Sequence, residues 1–451
     1  MSDKKTFHEP APGRPDHSGP RNPESYLREL LSREQVRALM ELLKEKDAET
    51  LAVQKELCAI GSPSNHEEAR AERYYSLMSG IGLDEVRMDE VHNVIGLLRG
   101  TGCSTARTAP EGTGSDSSGR NVSEGSDSDP SARNALPAVV LAAHMDTVFP
   151  AGTDCTPVTK EDGMVWAPGI GDDTRGMAEV YIIAKCLCTL GIRASRDILF
   201  VGDVGEESVG DLRGVRHLFG SGLNIGAFLS IDGGKPESLV TGAIASCTYR
   251  FTFSGRGGHA LSDFGVPNVN NAMARAAARI ADLKVPEDPR TVFNIGVMRG
   301  GVSPNAIPSE AVMDVNLRSE DNAELDRICA YTESAVRDAA DAENAHWAYP
   351  DGRITVEKTI LTRRPGGLQS PDLPLVQTAI AAYRACGMEP QISRAASTDS
   401  NIPISLGIPA VTLGRGGRCY GTHSVNEHYD PADAYLGVQK NCLLLLAAAE
   451  Y

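Results

Sequence analysis

A handful of histidines and carboxylates, each placed at the end of an apolar run, carry the chemistry legible in this chain. His144-Met145-Asp146 follows Ala138-Val139-Val140-Leu141-Ala142-Ala143, a short stretch bounded by Pro137 and β-branched at its centre. Such a run reads as a buried strand. Two residues apart on extended chain, His144 and Asp146 point the same way. A histidine that gives an imidazole nitrogen to a metal, with a carboxylate beside it, needs that arrangement. Taken alone, His-x-Asp is more often a polar strand end, and it gains weight from the acidic residues further along the chain. Asp172-Asp173 lies in the glycine-rich turn Gly169 to Gly176, Glu206-Glu207 comes after Ile198-Leu199-Phe200-Val201, and Asp232 after Ala227-Phe228-Leu229-Ser230-Ile231. Open α/β sheets build their sites at the C-terminal edge of the strands. A carboxylate pair also suits the start of a buried helix, whose dipole it complements. Four such endings in order are hard to explain structurally.

A last histidine, His423, sits in Gly421-Thr422-His423-Ser424. Imidazole and carboxylate without thiolate suit a catalytic zinc pair rather than a structural zinc site. Two metals bridged by one carboxylate would share a water and lower its pKa to about 7. A spare glutamate beside a ligand could then take the proton.

The elements that must position these residues alternate. Residues 1–24 are polar and proline-rich and read as a disordered leader. Apolar spacing from Ser32 to Ile60 predicts two helices broken near Lys46-Asp47, and Ser64 or Asn65 is placed to cap the helix that carries Glu67, Glu68 and Tyr74. Residues 101–134, rich in Ser, Gly, Asp and Thr, read as a solvated insertion in a surface hairpin. Strands and helices then alternate through 25–241. From 242 to 362 the order becomes β-α-β-β-α-β, a ferredoxin-like split arrangement inserted into the first domain. Residues 363–451 return to α/β texture and close on a helix from about Ala434 to Glu450.

At 451 residues, two domains are the expectation. The formal charge of −16, from 44 Lys+Arg against 60 Asp+Glu, argues against nucleic acid or an anionic membrane as partner. No run approaches the length of a membrane span, and the N-terminus lacks an apolar signal core. The ten cysteines show no paired spacing. They read as reduced thiols, hence a cytoplasmic protein.

In combination, His-Met-Asp-Thr-Val, Gly-Ile-Gly-Asp-Asp-x-x-Gly, Gly-Glu-Glu, Asp-Gly-Gly, Gly-x-x-Gly-His-Ala and Gly-Thr-His-Ser resemble the dinuclear zinc exopeptidase and amidohydrolase family. That family includes peptidase T, glutamate carboxypeptidase, aminoacylase and acetylornithine deacetylase. The resemblance covers all but the leader and the insertion. It implies an α/β, mixed-sheet catalytic domain with an inserted ferredoxin-like α+β lid or dimerisation domain, and a homodimer. It makes His144, Glu207, Asp232 and His423 terminal ligands of two Zn2+ ions (Co2+ or Mn2+ as alternatives), with Asp172 bridging and Asp173 the bridge if the register slips by one. Asp146 would hold His144, and Glu206 would be the general base. His259 would stabilise the oxyanion, and Asn305 and Arg318 would grip the substrate carboxylate or carbonyl. Arg394 and Asp399 are weaker candidates. His66, His92, His217, His346 and His428 have no motif support, and His428 is the decoy near His423.

The run Glu206 to Gly214 and Asp232-Gly233-Gly234 are most similar to tripeptide aminopeptidases, implying a small-peptide substrate. The His144 and Asp172 motifs also suit a glutamate carboxypeptidase or N-acyl amino acid amidohydrolase. A member that had lost catalysis and only bound metal would be expected to lack Glu206, which is present.

Overall fold

A computed structural model describes residues 22–102 and 136–451 except 348 and 350. The leader up to residue 21, and the insertion from residue 103 on, lie outside the described residues. The chain forms two compact units. One comprises Gly242–Leu368 and Arg394–Ser397; the other holds the described residues of 22–241 together with Gln369–Ser393 and Thr398–Tyr451.

The larger unit is built on an eight-stranded mixed sheet, in the order Glu85–Met88, Val94–Leu98, Ile198–Asp203, Ala138–His144, Ile225–Gly233, Ala410–Gly414, Ser238–Val240, Gln391–Ser393. The four central strands, Ile198–Asp203 through Ala410–Gly414, run parallel, in a register that sets His144 opposite Asp203. Ala138–His144 and Ile198–Asp203 are buried at every residue, which is why they read as continuous apolar runs rather than as alternation. Their C-terminal ends all lie at one edge, and the next charged residue of each strand or following loop is delivered there.

The helix Thr174–Leu190 is buried along most of its length. Asp173 caps it by accepting the Gly176 N–H at 3.1 Å, and Gly191, at φ 61°, ends it in the left-handed conformation. It joins Val139, Leu141, Phe200, Leu229 and the closing helix Tyr435–Ala448 in one core. Each fully buried large apolar side chain there contributes about 1.5–3 kcal/mol.

Three local expectations give way. The strands on either side of the insertion, Val94–Leu98 and Ala138–His144, do not form a hairpin: Ile198–Asp203 lies between them and pairs with both. A helix at Pro23–Ser32 reaches into the last residues of the expected leader: Asn22 caps it, a proline occupies its first turn, and Leu27 and Leu30 join the core. The helix Glu68–Ser79 starts from Glu67 with no side-chain cap. Ser64 instead donates its hydroxyl to Asp146, and Asn65 takes a left-handed φ of 71°.

The smaller unit contains a four-stranded antiparallel sheet, ordered Thr291–Gly300, Glu310–Ser319, Ala245–Ser254, Thr355–Arg364. Its helices Val269–Ala281 and Asn322–Trp347 bury Ala272, Ala276, Ile280, Ile328 and Val336 with the strand residues Tyr249, Phe251, Phe253, Met313 and Val315. Alternation along Ala245–Ser254 follows from the other face of the sheet being more open. Among the described residues no helix is long and apolar enough to cross a membrane.

Candidate active site

The parallel-strand edge of the larger unit gathers the polar residues singled out above. His144 ends its strand with 1% of its side chain exposed. Its Nδ1 lies 3.1 Å from the Asp146 carbonyl oxygen, which fixes the proton there and leaves Nε2 as the free donor atom. That Nε2 stands 3.1 Å from Asp172 Oδ1 and 3.7 Å from Asp232 Oδ1. On the other side of Asp172, Oδ2 lies 3.2 Å from His423 Nε2, which is also 2.9 Å from Glu207 Oε1. His144–Asp172–Asp232 and Asp172–Glu207–His423 each bring three donor atoms within 4.8 Å of one another, and His144, Glu206 and Glu207 form a third such group. Asp172 belongs to two of them through different oxygens.

The Asp146 carboxylate does more than orient a ring. Its Oδ1 accepts the Glu206 N–H and its Oδ2 the Glu207 N–H, both at 2.9 Å, and Ser64 Oγ donates to Oδ2 at 2.6 Å. One buried carboxylate thus ties the Glu206-Glu207 loop to the end of the His144 strand. Burial opposes its charge, but contact with His144 and these donors hold Asp146 below the usual carboxylate range. The buried Arg70 secures the same segment, donating to the carbonyls of Met145 at 2.8 Å and Ile60 at 3.0 Å.

The turn that presents Asp172 depends on glycine at two points. Gly169 has φ +77°, and a Cβ on Gly171 would collide with Cys419 Sγ. Glu427, which no local pattern marks, grips this turn. Its carboxylate accepts the N–H groups of Gly169, Gly171 and Asp172 at 2.9, 2.8 and 3.0 Å. Since Glu427 closes the loop that carries His423, one buried side chain links the Asp172 and His423 segments. Burial and the charge of Asp172 push its carboxyl up, against the three donors.

Arg415 was missed as well. It follows the strand Ala410–Gly414 as Asp232 follows Ile231, and is 2% exposed. Its Nη2 donates to Asp172 Oδ1 at 2.6 Å and Asp232 Oδ1 at 2.5 Å, and its Nε to Asp173 Oδ1 at 2.6 Å. Applying the strand-end rule to cations as well as to acids would have found it. Asp173 is therefore the helix cap and the partner of Arg415, while Asp172 faces the donor groups.

Electrostatically the cluster is set for cations. Burial disfavours charge on His144, yet Asp146, Asp172 and Asp232 raise its pKa well above the usual range. His423, half exposed, is raised to about 10 by Asp172 and Glu207. Burial works against ionised Asp172, and Arg415, His144 and His423 overcome it, holding it well below the usual range. Behind the cluster, burial raises Asp203 to about 7 and Asp399 well above the usual carboxylate range.

His259, Asn305, Arg318 and Arg394 belong to the smaller unit, and His428, in the larger one, is in none of the three donor groups. His428 is layered between Trp166 and Tyr420, with centroids 4.0 and 5.2 Å away. In the smaller unit, His259 Nδ1 accepts the N–H groups of Leu261 and Ser262 at 3.2 and 3.4 Å, leaving Nε2 as the protonated nitrogen. Asn305 is its neighbour, its carbonyl accepting the Ala260 N–H at 2.9 Å. Arg318 donates to Asn316 Oδ1 at 2.8 Å; burial and the nearby charge of Arg364 lower its pKa. Arg394 pairs with Asp288 at 3.5 Å and Glu320 at 3.9 Å.

A sequence model of the Peptidase family M20/M25/M40 matches residues 140–447, more than half of the chain. The chain belongs to that family. This M20 hydrolase is 25% identical over 287 residues to a succinyl-diaminopimelate desuccinylase of Corynebacterium glutamicum, covering 62% of this chain and 73% of that one. It is also 25% identical to carboxypeptidase G2 of a Pseudomonas species over 304 residues, 64% of this chain and 69% of the relative. Its fold is similar to that of aminopeptidase PepT from Bacillus cereus, with a TM-score of 0.65 at 21% identity, covering 89% of this chain and 98% of the other. A metal-dependent hydrolase of peptide or acyl-amino-acid bonds is thus the enzyme class.

Proposed function

We propose that this M20 hydrolase is a two-metal exopeptidase acting on small peptides in the manner of a tripeptide aminopeptidase. The observation that carries the reading is Asp172, whose two oxygens face two separate histidine-bearing donor groups. His144 and Asp232 would hold one ion, Glu207 and His423 the other, with Asp172 shared. Two zinc ions there, or cobalt or manganese, would act as Lewis acids on the scissile carbonyl and acidify a shared water to a pKa of about 7. Glu206, whose carboxylate is within 4.8 Å of donor atoms of His144 and Glu207, takes the proton from the attacking water and returns it to the leaving amine. Asp146 keeps Glu206 and Glu207 in register with His144. His259, a donor at Nε2, would serve the oxyanion of the tetrahedral intermediate. Val292, Val297 and Met298, exposed on the edge strand Thr291–Gly300, suit pairing of two copies, and the nine described cysteines, all free, suit the cytoplasm.

A second reading has its own support. Arg318 and Arg364 bring two cations close enough to oppose each other's charge, which suits a substrate carboxylate, as a carboxypeptidase or an N-acyl amino acid hydrolase requires. Hydrolysis of one tripeptide, its N-acetylated form and its C-amidated form by zinc-loaded protein separates the two. Loss of activity on N-acetylation alone supports the aminopeptidase; loss on C-amidation alone supports the second reading. No hydrolysis of any of them contradicts both.

A further inference from the structure

The two donor groups share Asp172 but not their surroundings. Arg415 Nη2 reaches Asp172 Oδ1 and Asp232 Oδ1, the same two oxygens that face His144 Nε2. The guanidinium therefore lies against two of the three donor atoms of one group. Asp172 Oδ2, Glu207 and His423 have no arginine or lysine ion pair among the described residues, and their only ionic contacts are with one another.

Displacing the guanidinium is opposed at every point of attachment. Its Nε is held by Asp173, which belongs to neither group. The Arg415 N–H donates to the Gly233 carbonyl at 3.0 Å. The Gly416 N–H donates to the buried Glu179 at 2.5 Å, and the Gly414 carbonyl accepts from Lys440 Nζ at 2.8 Å and Asn441 Nδ2 at 3.2 Å. A Cβ on Gly416 would collide with the Ala434 carbonyl oxygen, so the backbone has no slack there. A fixed positive charge in a buried setting repels an incoming dication and occupies lone pairs the metal would use.

Building on the two-metal reading, we propose that Arg415 makes the metal positions unequal. The Asp172–Glu207–His423 position fills first, and the His144–Asp172–Asp232 position binds at least about ten-fold more weakly (about 1.4 kcal/mol). Arg415 is a positioning residue that sets the loading order.

The test is calorimetric titration of chelator-stripped, full-length protein with zinc alone, with metal counted by mass spectrometry after dialysis at set free zinc. Wild type is expected to load in two steps at least ten-fold apart. Arg415→Met strengthens the weaker step about ten-fold or more and leaves the tighter one in place, while Arg415→Lys keeps the separation. Asp232→Asn abolishes the weaker step alone, and His423→Ala the tighter one, so the assignment stands on these variants should Arg415→Met not fold. Two equal steps in wild type, or loss of the tighter step in Asp232→Asn, overturn the inference while leaving the two-metal reading intact. Failure to bind any zinc overturns that reading itself.

Discussion

The two units place charge in opposite ways. In the larger one, four parallel strands bring Asp203, His144, Asp232 and, one residue past its strand, Arg415 to their C-terminal ends, and all four side chains are buried or nearly so. In the smaller one, the antiparallel sheet carries most of its charges at the surface, with Arg364 the buried exception. Arg250 meets Asp314 in a two-point ion pair, both contacts at 2.8 Å, with the arginine side chain 39% exposed. The surface pair needs no explanation beyond solubility and weak pairing. Buried carboxylates crowded at one edge cost desolvation energy that no apolar core would demand, so such a cluster marks a functional site.

Ways of breaking that comparison differ in expected size. Glu206→Gln is expected to lower kcat by about 10²–10⁴-fold, with zinc content by mass spectrometry unchanged; near-wild-type turnover would remove Glu206 from the mechanism. Glu427→Gln comes next. It gives up part of the grip on Gly169, Gly171 and Asp172, and zinc affinity is expected to fall about 10- to 100-fold in a folded protein, a result that unaltered binding would contradict.

Asp399→Asn probes the cost of burial directly. Raised folded-state pKa values mean that the folded protein keeps protons an unfolded chain releases from about pH 4. Stability is then lost as pH rises above about 4, and the loss is complete only above the folded pKa values. Removing one carboxyl should raise the melting temperature of the metal-free protein by about 2–4 °C at pH 8 and change it little at pH 4.5. Scanning calorimetry at the two pH values decides, and a variant less stable at both contradicts the account. The smallest effect belongs to the other unit: replacing Arg250 and Asp314 together by alanine should leave the urea unfolding midpoint nearly unchanged. A clear drop in the midpoint would show that this unit, too, leans on its charges.

The order of elements was legible because each depends on a local pattern. Uninterrupted apolar runs marked the parallel strands. His144, Asp172, Glu206, Glu207 and Asp232 were legible because a strand or a glycine-rich turn leads into each, and the structure brings these residues and His423 together. Arg415 occupied the same kind of position and was passed over because only acids were sought there. Glu427 had no such signal. Its partners lie more than 250 positions away in sequence, and only the folded turn reveals three N–H groups converging on it. Pro23–Ser32 was hidden by its polar flank, since its burial comes from tertiary packing of Leu27 and Leu30 rather than from its own pattern. The strands Arg418–Tyr420 and His428–Asp430, three residues each, are too short for periodicity to mark, although they frame the His423 loop.

The central claim is that one carboxylate, Asp172, serves two metal positions. Anomalous diffraction at the zinc edge from crystals grown at saturating zinc tests it most directly. The account predicts two peaks, one against His144 and Asp232, the other against Glu207 and His423, with Asp172 touching both. A single peak, or a pair of peaks that Asp172 does not join, would contradict it.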